Sequence, residues 1–175
     1  MGWQMKKIID FIQPFNEFEL EVNEFNFKNN NSEDFWDFIK KQNHKGVYIF
    51  IDSSKRGINK ILYIGKAGKI EDNKTTIKKR TQSHYFLGRG TYREGKNKGK
   101  RKNPNSPLNI DGMFEFKQLN SSVPKQDRIL KKDNFVMITI QILEDNSVSP
   151  ELLESFLLNK LLKEYDHYPK FNNKI

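Results

Sequence analysis

Apolar and polar positions alternate with a period of two over Phe18-Glu19-Leu20-Glu21-Val22, the mark of a half-buried strand. Upstream, Lys7 to Ile12 predicts a short helix that Pro14 closes. Downstream, Asn31-Ser32-Glu33-Asp34 offers an N-cap and an acidic first turn for a helix over 33–42, with Phe35, Trp36, Phe38 and Ile39 on its apolar side. Val47 to Ile51 and Lys60 to Ile64 predict two strands joined by the turn-like residues 52–59. A regular hairpin closed by that loop sets Ile51 opposite Lys60, Phe50 opposite Ile61 and Tyr48 opposite Tyr63. Both phenols then share one face, about 5 Å apart at Cβ. A helix over 75–86 follows, and the largely apolar run Phe135 to Leu143 predicts the central strand of the sheet. Ser149-Pro150-Glu151 opens a last helix, with Ser as N-cap, Pro in the first turn and an acid at the positive helix end. That helix runs to about Glu164.

This order of elements predicts an α/β (α+β) fold: a small mixed, mainly antiparallel central sheet flanked by helices. It spans residues 46–175, with 1–45 as an N-terminal extension that packs on the core or on a dimer partner. The Phe-rich run (Phe15, Phe18, Phe25, Phe27) is most simply core, with a dimer contact as the alternative. The pattern lapses over 87–134, where Gly88, Gly90, Gly95, Gly99, Pro104 and Pro107 interrupt it. Residues 86–110 hold seven basic side chains and one acidic. A long unpatterned stretch in a compact domain is usually functional or disordered, so this one reads as a substrate-recognition insertion or as a basic loop of non-specific affinity.

Charge narrows the partner. The 175 residues carry a net charge of +9, yet the first 45 hold six basic and eight acidic side chains, so the excess lies wholly behind them. A basic body fits a polyanion, because each neutralised phosphate releases condensed counterions. The absence of Cys excludes disulfides, zinc–thiolate sites and thiol nucleophiles, and is compatible with a reducing, cytoplasmic setting. No apolar run reaches the roughly 18 residues a bilayer span needs, so no membrane partner is expected.

The candidate chemistry lies in Gly46-Val47-Tyr48, in Tyr63-Ile64-Gly65-Lys66, and in Arg80 with His84 one helical turn on. The planar guanidinium of Arg80 suits two phosphate oxygens at once. His84 is placed to donate to the same phosphate or to orient an attacking oxygen. Gly65 reads either as a glycine that permits a tight bend and close approach of backbone to substrate or as only a strand-end glycine. Lys66 is either a solvated lysine or a contact to phosphate or water. Glu154 is flanked by Leu157 and Leu158, where a carboxylate is costly unless something compensates it. Glu151 is explained by the helix start.

These residues resemble the GIY-YIG nuclease superfamily, which includes homing endonucleases, repair and structure-specific nucleases and some restriction enzymes. The resemblance covers about 46–86 and 135–173, and includes Glu154 on the last helix and Asn172 in Pro169-Lys170-Phe171-Asn172. It implies a catalytic set of Tyr48, Tyr63, Arg80, His84 and Glu154. In that scheme Tyr48 takes a proton from water and Tyr63 helps to place it. A phenol of pKa about 10 is a weak base at neutral pH, so Lys66, Arg80 or a metal-bound water must lower it. Glu154 is the implied ligand of one Mg²⁺, with Mn²⁺ equally suited; a register one turn off would give that role to Glu151. Gly65, Lys66 and Asn172, and from the insertion Arg89, Arg93, Lys96, Lys98, Lys100, Arg101 and Lys102, are the expected substrate contacts. The implied function is a metal-dependent endonuclease acting on double-stranded DNA, of restriction or defence type. A nicking repair or structure-specific nuclease, an RNA-directed nuclease and a non-catalytic DNA-binding module are the alternatives.

Overall fold

The computed structural model describes residues 3–69, 75–83, 113–116, 122–143 and 148–172. Helix α1 (Trp3–Phe11) leads into strand β1 (Leu20–Asn26), then α2 (Ser32–Lys41), β2 (Gly46–Asp52), β3 (Ile61–Ala67) and α3 (Ile77–Ser83). Two short strands follow, β4 (Met113–Glu115) and β5 (Ile129–Lys131), then β6 (Phe135–Ile142) and α4 (Pro150–Tyr165). The main sheet has the order β1-β6-β2-β3 with every pairing antiparallel, while β4 and β5 form a separate pair. The fold is thus α+β, with β6 inside the sheet as its apolar sequence predicts. No helix among the described residues is long and apolar enough to cross a membrane.

Both inner strands are buried along their whole length, so each face of the sheet has its own core. On one face Tyr48, Phe50, Phe135 and Met137 pack with Phe35, Trp36 and Ile39 of α2 and Ile77 of α3. On the other, Val47, Ile49, Ile138 and Ile140 pack with Ile8 and Phe11 of α1 and Leu153, Leu157 and Leu161 of α4. Burial of this much aliphatic and aromatic surface is the main force holding the layers together. Local caps set the helix ends. The Asn31 side chain accepts from the backbone N–H groups of Glu33 and Asp34 while Asp34 accepts from Asn31 N–H, which closes a capping box. Ser149 Oγ accepts from Leu152 N at 3.0 Å, as the Ser-Pro-Glu start predicts.

The first 45 residues are less of an extension than their sequence suggests. They supply an edge strand paired to β6 over seven residues and two helices of the core. Phe15, Phe25 and Phe27 are at most 7 % exposed, so these rings are core of their own chain and not a dimer surface.

Candidate active site

The hairpin register is two residues away from the regular one. Tyr48 pairs with Gly65, Phe50 with Tyr63 and Ile51 with Ile61, with Leu62 as the extra residue of a bulge. The cause lies in the connection, where Gly57–Lys60 coil into a 3-10 turn in place of a simple loop. Tyr48 and Tyr63 therefore meet diagonally on one face, ring centroids 6.0 Å apart, and not directly opposite.

That diagonal explains Gly65. Its φ lies outside the left-handed region, so no tight bend is present. A Cβ there would stand 2.5 Å from Tyr63 Cε1, 2.7 Å from Tyr48 Cζ and 2.8 Å from Tyr48 Oη. The missing side chain makes room for the two rings rather than for substrate backbone. Gly46 serves a similar end at the start of β2: its φ is +153°, and a Cβ would fall on the carbonyl oxygen of Ile140.

Tyr48 is fully enclosed, with no exposed surface. Burial pushes its phenol well above the ordinary value of 10; the charge of Tyr63 and the hydrogen bond donated to Tyr63 add to this, and Arg80 opposes it. Tyr63 is half-buried, and burial raises it too, but the hydrogen bond it accepts from Tyr48 and the charge of Arg80 pull it back. The expectation that Tyr48 meets water directly is thus corrected: of the two phenols, Tyr63 is the one with solvent access.

Arg80 stands exposed on α3. The helix is aimed by the connection before β2, whose Gln42 and His44 carbonyls accept from Lys78 N (2.8 Å) and Ile77 N (2.9 Å). Backbone carbonyls of one segment thus cap the first-turn amides of another, a device that no side-chain pattern reveals.

Lys66, Gly68, Lys69, Thr75, Arg80 and Glu151 line a cleft of about 220 Å³ beside β3. Lys66 Nζ donates to Glu151 Oε1 at 3.0 Å. Burial opposes the charge on Glu151, but Lys66 outweighs it and holds this carboxyl below its ordinary range. Glu154, one turn further along α4, has neither a hydrogen bond nor an ion pair with the described residues. Burial raises its carboxyl above the ordinary value, Glu151 adds to this, and Lys66 and Arg80 act against it. Of the two glutamates, the unpaired one is Glu154.

Asn172 is engaged elsewhere. Its Oδ1 accepts from Ile64 N at 2.9 Å and its Nδ2 donates to Ile64 O at 2.7 Å, while Phe171 N donates to Leu62 O. The carboxamide holds the free edge of β3 in place, a scaffold duty where a substrate contact was expected. His84, together with Arg89, Arg93, Lys96, Lys98, Lys100, Arg101 and Lys102, lies outside the described residues.

One edge of the sheet therefore gathers Tyr48, Tyr63, Lys66, Arg80 and Glu154 from β2, β3, α3 and α4. Lys69 and Thr75, which add to the cleft, were not singled out by the sequence; only the glycine at 68, with its φ of +89°, hinted at the turn that brings them in. No protein-family model, no curated protein and no solved structure matches the chain.

Proposed function

We propose that this chain is a metal-dependent endonuclease of the GIY-YIG type that hydrolyses DNA phosphodiester bonds. The observation that carries the reading is the meeting of a hydrogen-bonded Tyr63–Tyr48–Arg80 group, Tyr48 at its centre, with an unpaired, half-buried Glu154 carboxylate at one cationic edge.

Glu154 fits a hard divalent cation: an oxygen donor in a partly buried place, with no other partner among the described residues. No group of three or more acidic, histidine or cysteine side chains comes together among those residues. A cation there would take one carboxylate, with water and phosphate oxygens for its remaining places, which suits Mg²⁺ and also Mn²⁺. When bound, such a cation stabilises charge on the leaving oxygen.

The chain's own groups do the rest. Arg80 grips the scissile phosphate through its guanidinium fork and offsets the charge that grows on it. Tyr63, kept protonated at neutral pH by its raised pKa, orients the attacking water through its phenol oxygen, with Tyr48 behind it fixing the direction of that oxygen. Lys66 and Lys69 add cationic contacts along the strand being cut. The oxygen of water joins phosphorus and its proton passes to bulk water, one P–O ester bond breaks, and the departing alkoxide takes up a proton from bulk water. The basic stretch at 87–134 is the proposed reader of the substrate, which favours a restriction or defence-type enzyme over a structure-specific nicking one.

Incubating unmethylated plasmid and phage DNA with the protein and Mg²⁺, beside an RNA control, tests the reading. Discrete DNA fragments that Glu154→Ala and Tyr63→Phe fail to make are expected. A salt-sensitive gel shift with no cutting by any form would replace the nuclease with a DNA-binding module.

A further inference from the structure

The charge of Lys66 acts on two carboxylates of α4, Glu151 and Glu154, one helical turn apart, and the ammonium is bonded to only one of them. Its ammonium stands 3.0 Å from Glu151 Oε1, and this pair is about one-third exposed, with side-chain exposures of 38 % and 34 %. Glu154 is the more enclosed of the two acids, and an ammonium gains most from the carboxylate that water serves least. The bond to Glu151 competes with any approach of the lysine to Glu154. A lysine that closed on Glu154 would fill the place where a divalent cation has to sit, with none of that cation's Lewis acidity.

We infer that Glu151 is a positioning residue: it holds the Lys66 ammonium in the cleft toward Gly68, Thr75 and Arg80, and so keeps the Glu154 carboxylate open for metal. This deepens the nuclease reading and rests on it for the identity of Glu154 as the ligand. The placement is economical, because Glu151 sits in the first turn of α4, where its charge is already favoured by the helix end. The same acid also leaves Lys66 pinned at its far end, pre-ordered for a phosphate that enters the cleft between it and Arg80.

Removing the charge of Glu151 would by itself weaken cation binding nearby, and removing the charge of Lys66 would strengthen it. The distinguishing quantity is therefore the coupling between the two changes. Mn²⁺ binding by the full chain, followed through the loss of the free-ion electron paramagnetic signal, is to be measured for the parent, Glu151→Gln, Lys66→Met, the double variant and Glu154→Ala, with folding checked by circular dichroism. Glu154→Ala should lose the site. Lys66→Met should tighten Mn²⁺ only slightly in the parent, where the lysine is held on Glu151 and acts on Glu154 by its charge alone. In the Glu151→Gln background the same change should tighten Mn²⁺ by about fivefold, the scale of one partly exposed ion pair. An equal effect of Lys66→Met in both backgrounds would overturn the positioning role and leave the metal site standing. Mn²⁺ binding untouched by Glu154→Ala would remove both.

Discussion

At the scale of single residues, the three glycines with defined surroundings rank themselves. A Cβ at position 46 meets backbone at a positive φ, one at 65 meets the rings of Tyr48 and Tyr63, and one at 57, with a φ of +59°, meets nothing. Alanine should therefore cost most at Gly46, where the backbone of β6 has no freedom to retreat. Gly65→Ala should cost about 1–3 kcal/mol, the usual range for overpacking, and Gly57→Ala only about 1 kcal/mol, from the left-handed backbone alone. Urea unfolding of the three variants checks that order, and a Gly65→Ala protein as stable as the parent would deny the ring contact. Glu154 gives a second expectation, through pH. Burial first, then Glu151, raises its carboxyl above the ordinary value of 4.5. A group raised by folding contributes its full stability below the unfolded pKa and loses it as pH rises through the folded one. Ionised Glu154 is therefore a cost at neutral pH. Glu154→Gln should unfold at a higher temperature than the parent at pH 7, with the gap closing toward pH 4, while cleavage is lost. A variant more stable and less active is the signature of a residue kept for chemistry.

At the scale of elements, the strap 167–172 along β3 is the part the sequence hid best. Helices α2 and α4 were legible because their caps are side chains in a fixed order, Asn31 with Asp34 and Ser149 before Pro150. Strand β6 was legible because a strand buried on both faces is apolar throughout. The register of β2 on β3 was not, because a 3-10 turn and a bulge change the count without changing the type of residue. Tyr48, Tyr63, Arg80 and Glu154 were found as residue types, but which phenol meets water and which glutamate stays unpaired depend on distances that no spacing encodes. The same holds for Asn172, which looks like any polar tail residue until its carboxamide is seen bridging Ile64. Asn172→Ala should remove both of those hydrogen bonds and cost about 1–3 kcal/mol. Amide exchange at Ile64 should quicken well ahead of that at Ile138 in the sheet centre. Exchange at Ile64 that stays as slow as in the parent would show that the strap does not hold the edge.

At the scale of the whole molecule, each chain carries one such edge, so under the proposed nuclease function cutting both strands of a duplex would take either two visits or two chains. The case for two visits begins with where the apolar surface went. Of the N-terminal phenylalanines that offered a dimer face, Phe15, Phe25 and Phe27 lie in the core and Phe18 is half-buried against it, and the large apolar side chains exposed among the described residues are Ile129 on β5 and Leu152, Leu162 and Tyr165 on α4. Those on α4 are spread over fourteen residues of a sixteen-residue helix, and Ile129 belongs to another sheet. Scattered single side chains are ordinary surface, whereas stable association needs a contiguous patch of several hundred Å². A net charge of +9 further opposes self-association at low salt. The protein should therefore sediment near its monomer mass of 20.8 kDa at micromolar concentration. On supercoiled plasmid it should accumulate nicked circles before linear DNA, with both steps first order in protein. Linear product that appears without a nicked intermediate, at a rate rising with the square of protein concentration, would mean that two chains assemble on the DNA to cut. The edge built from β3, α3 and α4 would then be half of a larger site.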